Sequence, residues 1–269
     1  MRWVIATAFS VLLAALAWAD GPLTFYPDAK TGCRVGTFSP QPQLTVQWNG
    51  PCADGKAQGR GIAEWSIAGK FDSRTEGEFR AGLREGRSIT TDRKNNRWEQ
   101  EDRAGLANGR CIYIGADGAR TDALCRDGKR NGPGKAVTAD GDRYTGEYRD
   151  DKKAGHGVYV WKDGRIYEGD LGDGGQSGKG KEVWPDGAWY DGEWANGTFN
   201  GQGVDVMSDG AYYQGNFKDG FPDGPGEYVG HSQDGSTNVW TGEWEQGCLS
   251  TPDGMTAAVE KTRAACGFD

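Results

Sequence analysis

The chain has 269 residues, a formal charge of −8 at pH 7 and 45 glycines, with 36% hydrophobic and 11% aromatic content. Acidic proteins suit phosphate backbones and anionic lipid surfaces poorly, so no nucleic-acid partner is expected. So much glycine with so little apolar content would read as disorder unless it recurred with a period, and here it does.

Residues 1–19 read as a cleavable signal peptide. Arg2 supplies the positive start, Val4 to Leu16 the apolar core, and Ala17-Trp18-Ala19 a small-x-small cleavage site before Asp20. The apolar run is shorter than the ~20 residues a membrane span requires, and no later stretch approaches that length. The expectation is a periplasmic or secreted protein with no membrane span. The six cysteines (Cys33, Cys52, Cys111, Cys125, Cys248, Cys266) all follow the leader. An even count in an exported chain favours three disulfides. A metal site is not expected, because no Cys-x2-Cys spacing exists and the only histidines are His156 and His231.

Residues 20–43, with Pro22, Pro27, Pro40 and Pro42, read as a turn-rich lead-in with one short strand at Cys33 to Phe38. A repeat array follows over 44–247. Its degenerate part, 44–131, opens on Leu44-Thr-Val46-Gln-Trp48, reaches a Gly-x-Gly at Gly59 and Gly61, and carries a good copy at Thr75-Glu-Gly77-Glu-Phe79. Its clear part, 132–247, holds Tyr144-x-Gly146-x-Tyr148, Tyr167-x-Gly169-x-Leu171, Tyr190-x-Gly192-x-Trp194, Tyr213-x-Gly215-x-Phe217 and Trp240-x-Gly242-x-Trp244. The first four are 23 residues apart (144, 167, 190, 213). Gly-x-Gly keeps the same period from Gly132/Gly134 to Gly224/Gly226, as does Asp-Gly at Asp140, Asp163, Asp186 and Asp209. Three features locked to one period define a repeat array. A C-terminal cap, 248–269, is expected to hold a short helix over the alanine-rich Met255 to Ala265.

Period-two alternation broken at glycines reads as one β-hairpin per repeat, with Asp-Gly at its turn. Folding each hairpin about the Asp-Gly glycine sets Trp194 opposite Gly180, Tyr190 opposite Trp184, Tyr167 opposite Trp161, Tyr213 opposite Met207 and Phe217 opposite Gly203. A large ring needs a neighbour without Cβ, which accounts for the glycines. The same folding about Gly118 sets Cys111 opposite Cys125, so a Cys111–Cys125 disulfide is expected. Proximity in sequence suggests Cys33–Cys52 and Cys248–Cys266. The other face carries Val137, Val160, Val183, Val206 and Val229 near Ile166, Trp189 and Tyr212, beside an acidic row of Glu147, Asp170, Glu193 and Glu243 interrupted by Asn216. That row reads as a solvated face, with capture of a basic partner or a cation as the other option.

These residues resemble the MORN repeat, whose pattern is Tyr-x-Gly-x-Trp, a turn glycine, then Gly-x-Gly. Tyr190-x-Gly192-x-Trp194, Gly197 and Gly201-x-Gly203 match it at each position. Thr31-Gly-Cys33 and Gly50-Pro-Cys52 look similar to exported bacterial members of that family. The resemblance implies an all-β fold, an elongated, single-layer, twisted antiparallel sheet of hairpins. It also implies a scaffold that dimerises or holds partner proteins, with chemistry, where present, in another domain.

No nucleophile–base pair, metal cage or EF-hand spacing occurs, and Gly-x-Gly recurs too often to be a nucleotide fingerprint, so no catalytic residue and no cofactor are expected. The expected function is a non-enzymatic exported scaffold that binds an unidentified protein partner or self-associates. The candidate surface is an aromatic groove of Tyr144, Trp161, Tyr167, Trp184, Tyr190, Trp194, Tyr213, Phe217, Trp240 and Trp244. The alternatives are a carbohydrate or cell-wall binding module that stacks a glycan on these rings, and, behind it, an enzyme with an unmarked carboxylate site.

Overall fold

The computed structural model describes residues 21–232, 235–251, 254–258 and 266. The expected leader, 1–19, lies outside the described residues. Every described element is a strand. The chain divides into two compact units, one ending at residue 152 and one beginning at 153.

In the first unit, Leu44–Trp48, Gly59–Ile67, Lys70–Arg80, Leu83–Asp92, Arg97–Arg103, Leu106–Ile114, Arg120–Arg126, Lys129–Val137 and Arg143–Arg149 pair antiparallel, each with the next. The lead-in adds a second layer where a single layer was expected. Thr24–Pro27 and Arg34–Thr37 join Lys56–Ala57 and Cys52–Ala53 in a small mixed sheet, fastened by the Cys33–Cys52 disulfide. Cys33, Val35 and Ala57 are buried there with Val46, Trp48, Trp65 and Phe79 of the first hairpins. Trp48 lies over Gly61 of its own hairpin, and the lead-in adds further apolar cover: Tyr26 packs edge-on against Trp65 at 6.0 Å.

In the second unit the same meander runs from Lys152–Val160 through Ile166–Gly172, Gly175–Val183, Trp189–Ala195, Thr198–Val206, Tyr212–Lys218, Phe221–His231 and Thr237–Glu245 to Cys248–Thr251 and Gly254–Ala258. The last strand overturns part of the expected C-terminal helix. Gly254–Ala258 pairs antiparallel with Cys248–Thr251, because the open edge of that strand offers unpaired backbone groups that an extended segment satisfies at once. Residues 259–265 lie outside the described residues. A Cys248–Cys266 disulfide closes this end, and Cys111–Cys125 lies within the first unit.

Two kinds of turn alternate along the meander. Tight two-residue turns such as Asn196-Gly197, with φ of 51° and 79°, have both central residues left-handed, the type I′ geometry that matches strand twist. The Asp-Gly sites belong instead to wider loops. In 184–188 the Gly187 N–H donates to the Trp184 carbonyl (3.0 Å) and the Trp184 N–H to the Ala188 carbonyl (2.8 Å). The loop is therefore centred on Asp186, one residue before its glycine. That displacement moves every wide-loop pairing by two residues from the expected register. Trp194 faces Gly178, Tyr190 faces Glu182, Tyr167 faces Tyr159, Tyr213 faces Asp205, Phe217 faces Gly201 and Cys111 faces Ala123. A slip of two preserves the face of every side chain. Trp194 and Gly180, like Cys111 and Cys125, thus remain diagonal neighbours, and the cysteine pair is bridged at a Cα separation of 5.9 Å.

The first glycine of Gly-x-Gly makes a bulge in the tight-turn hairpin. Gly201 has φ of 69°, and the register there shifts between the Gly192 and Trp194 pairs. The second glycine lies flat beneath a ring. A Cβ at Gly203 would sit 2.5 Å from the Tyr190 hydroxyl and 2.7 Å from its ring carbons. Gly203→Val is expected to destabilise the protein by about 1–3 kcal/mol. Gln202→Val, one residue earlier on the opposite face, should stay within about 0.5 kcal/mol. The shift in urea midpoint of the two variants checks this.

Candidate functional site

Directly paired residues of the second unit form two ladders, one on each face. On the first face the order across the strands is Tyr159, Tyr167, Glu182, Tyr190, Asp205, Tyr213, Tyr228 and Trp240. On the opposite face it is Val160, Ile166, Val183, Trp189, Val206, Tyr212, Val229 and Val239. The alternation of Tyr190 with Trp189, and of Tyr167 with Ile166, separates them.

Each motif tyrosine folds along its own strand. Tyr167 covers Gly169 and, across the tight turn, Gly180; Tyr190 covers Gly192 and Gly203; Tyr213 covers Gly215 and Gly226. The hydroxyl then donates to a carbonyl three residues on: Tyr144 to Glu147 (2.7 Å), Tyr167 to Asp170 (2.7 Å), Tyr190 to Glu193 (2.8 Å) and Tyr213 to Asn216 (3.1 Å). The ring four residues on meets the tyrosine edge-to-face. The centroid separations are 5.3 Å for Tyr144–Tyr148, 5.1 Å for Tyr190–Trp194 and 5.0 Å for Tyr213–Phe217. Such pairs contribute about 0.5–1.5 kcal/mol each beyond area burial. Trp194 Nε1–H donates to the Gly180 carbonyl (2.9 Å) and Trp244 Nε1–H to that of Gly226 (3.1 Å).

This packing divides the aromatic candidates. Tyr144, Tyr167, Tyr190, Trp194, Tyr213, Phe217 and Trp244 are all buried, none more than 5% exposed. Trp161, Trp184 and Trp240 keep part of their surface open. Trp161 lies 4.6 Å from Tyr159, Trp184 lies 6.2 Å from Phe199 and Trp240 lies 5.5 Å from Tyr228. Phe199, absent from the sequence candidates, stacks face to face on Tyr190 at 3.7 Å. Folding the chain about Asn196-Gly197 sets Phe199 opposite Trp194, so the tight turn carried a usable signal for it.

Two carboxylates interrupt the tyrosine ladder. Glu182 is 4% exposed and accepts from Gln176 Nε2 and from Arg165 Nη1 (3.4 Å). Burial pushes its carboxyl above the ordinary range, against the pull of Gln176 and Arg165. Arg165 also binds Asp163 (2.9 Å) and lies over the Trp161 ring at 4.5 Å. Burial would raise the Asp163 carboxyl, but the Arg165 backbone and guanidinium bonds outweigh it and hold the group below its usual range. The tyrosines feel both burial and these charges. Burial, with Asp170 and Glu182 beside Tyr167 and with Asp205 and Glu193 beside Tyr190, drives both phenols far above the ordinary tyrosine range. Burial with Asp223 and Glu243 pushes Tyr213 up to about 12.

Part of the acidic row on the other face, Asp170, Glu193 and the Asn216 that interrupts it, has a local role. Asp170 accepts from the Lys179 N–H (3.2 Å) beside the bulge glycine Gly178, and Glu101 accepts from the Arg110 N–H (3.3 Å) beside Gly109. A Cβ at Gly201 would collide with the Glu193 carboxylate, and one at Gly224 with the Asn216 amide. These side chains sit on the bulges, and Asn216 serves as well as a carboxylate. His156 is exposed, 3.8 Å from Glu168 and from Asp170; His231 is exposed too. Among the described residues no group of three or more His, Cys, Asp or Glu is placed to hold a metal ion.

The model of the MORN repeat matches residues 76–87, 103–120, 126–143, 144–164, 167–189, 190–211 and 213–235, together about half of the chain. No curated protein matches the chain. Among solved structures, the TCP domain of Drosophila melanogaster SAS-4 (dCPAP), in complex with a proline-rich motif of Ana2 (dSTIL), aligns with TM-score 0.32 and 10% identity over 77% of this chain and 96% of that chain. A point mutant of the TCP10 domain of Danio rerio CPAP aligns with TM-score 0.26 and 10% identity over 83% of this chain and 100% of that chain.

The phenol pKa values fix an alkaline limit. A buried tyrosine is neutral when protonated, so above pH 10 the folded state keeps a proton that the unfolded chain releases. Stability is then full below pH 10 and falls as pH rises through 10 to about 12. Tyrosinate absorbance of the buried ladder should rise in a cooperative step above pH 10 that coincides with loss of the β circular dichroism signal. A single non-cooperative step near pH 10 would contradict the packing.

Proposed function

Since the chain belongs to the MORN-repeat family, we propose that it is a disulfide-stapled repeat scaffold. In this proposal it works outside the cytoplasm and holds a protein partner, or a second copy of itself, on the tyrosine-ladder face. The observation that carries the reading is the division of the rings. The buried tyrosines and Trp194 are spent on packing, while Trp161, Trp184 and Trp240 keep open surface along the same face. Partly exposed tryptophans set in a rigid frame supply contact area at little entropic cost, the usual make-up of a binding hot spot. Three disulfides are compatible with an oxidising compartment. Export to the periplasm or beyond rests on the pattern of residues 1–19.

A glycan on the same rings is the competing reading. Arg165 already covers the Trp161 face that a sugar would stack on, which favours a protein occupant. No reaction is assigned to the chain.

The test is capture from the native envelope with tagged protein. Trp161→Ala/Trp184→Ala should keep its fold and lose a defined protein partner or its self-association by about tenfold or more. Trp194→Ala should instead lower stability by about 3–5 kcal/mol, because it empties a buried site. Normal capture by a folded Trp161→Ala/Trp184→Ala variant overturns the reading, and retention on isolated cell-wall polymer in place of a protein moves it to the glycan.

A further inference from the structure

The face opposite the tyrosines carries a second recognition surface of different chemistry. Its ladder from Val160 to Val239 is apolar at every position, one residue per strand over successive strands of the second unit. Ile166 is 43% exposed and Val239 56% exposed; between them Val183, Trp189, Val206 and Tyr212 are partly open and Val229 is closed at 8%. Single exposed apolar residues call for no explanation, but open ones on the adjacent strands from Ile166 to Tyr212 do.

The rows beside it, toward the tight turns, are acidic. They hold Glu168, Asp170, Asp191, Glu193, Glu227 and Glu243 against two lysines, Lys179 and Lys181, and one histidine, His156. Lys181 stands opposite Glu168 and Asp191 in the strand register and lies 4.3 Å over the Trp189 ring, and Lys179 stands opposite Glu193. The excess charge therefore calls for a cationic partner.

Spacing selects the partner's conformation. Neighbouring strands lie about 4.8 Å apart, so seven steps of the ladder extend about 34 Å. A helix laid across the strands brings an apolar side chain to the surface about every 5.4 Å, close to that step, and about 22 residues cover the length. An extended chain repeats its same-face side chains about every 6.7 Å and falls out of step within a few strands. We propose that this face binds a basic amphipathic helix of a partner protein, its apolar stripe along the ladder from Val160 to Val239 and its Lys or Arg residues over Glu168, Asp191 and Glu227. The site is independent of the tyrosine face.

The probe is a labelled 22-residue leucine–lysine peptide with leucines at helical spacing, compared by fluorescence anisotropy with an isomer of the same composition in strict alternation. The disulfide-intact protein should bind the helical peptide about tenfold or more tighter than the alternating one. Ile166→Lys/Val206→Lys should weaken it about tenfold or more with an unchanged circular dichroism spectrum. Glu168→Gln/Asp191→Asn removes charge without touching the ladder. It should weaken binding several-fold and flatten its salt dependence, which keeps the proposal testable if the lysine pair misfolds. Equal binding of the two peptides overturns the proposal, as does indifference to both pairs of substitutions. Loss of peptide binding only in Trp161→Ala/Trp184→Ala would move the peptide to the tyrosine face. Conversion of a dimer to a monomer by Ile166→Lys/Val206→Lys in sedimentation would give the ladder to a second copy of the chain. Either result also overturns it.

Discussion

A tyrosine ring laid flat on two glycines of adjacent strands is the contact on which the repeat depends. Three constraints meet in it. The ring can approach the backbone only where neither strand has a Cβ, so Gly192 and Gly203 must both be glycine beneath Tyr190. The phenol is carried inside the packing and needs an acceptor, which the Glu193 carbonyl supplies at 2.8 Å. The ring edge then meets Trp194, whose indole N–H returns to the Gly180 carbonyl of the neighbouring strand. Tyr-x-Gly-x-Trp and Gly-x-Gly are thus two halves of one packing unit, and the 23-residue period is the chain needed to bring the next half into register.

Departures from the unit show what it can tolerate. Leu171 replaces the second ring of the Tyr167 copy and is still buried. Cys111 and Cys125 occupy the second-glycine and second-ring positions of a degenerate copy, where a covalent bridge stands in the place of the Trp194–Gly180 contact. At the first hairpins the lead-in folds back as a second layer around Val35 and Trp65. Glu182 sits where Tyr159 sits in the preceding copy, and its burial is offset by Gln176 and Arg165.

Most of the architecture was legible because glycine and aromatic positions are set by sterics local to one hairpin. The face of each side chain was legible for the same reason, since parity survives a two-residue slip. The register was not. It depended on whether Asp186 or Gly187 lies at the centre of the wide loop, a matter of backbone hydrogen bonds that the dipeptide does not reveal. The C-terminal strand was hidden because alanine-rich sequence favours helix until an unpaired strand edge offers it hydrogen bonds. Phe199 was hidden because the Asp-Gly loops do not pair it with a motif ring, whereas the tight turn at Asn196-Gly197 sets it opposite Trp194. The acidic row looked like free charge in the sequence, and the bulge glycines it covers became visible only with the backbone in place.

The ring-on-glycine contact is tested most directly by nuclear magnetic resonance of the glycine α-protons. The account predicts strongly upfield, inequivalent Hα resonances for Gly180, Gly203 and Gly226, with nuclear Overhauser contacts to the rings of Tyr167, Tyr190 and Tyr213 respectively. Ordinary glycine shifts at these three positions, or contacts to the ring of a different tyrosine, would contradict it.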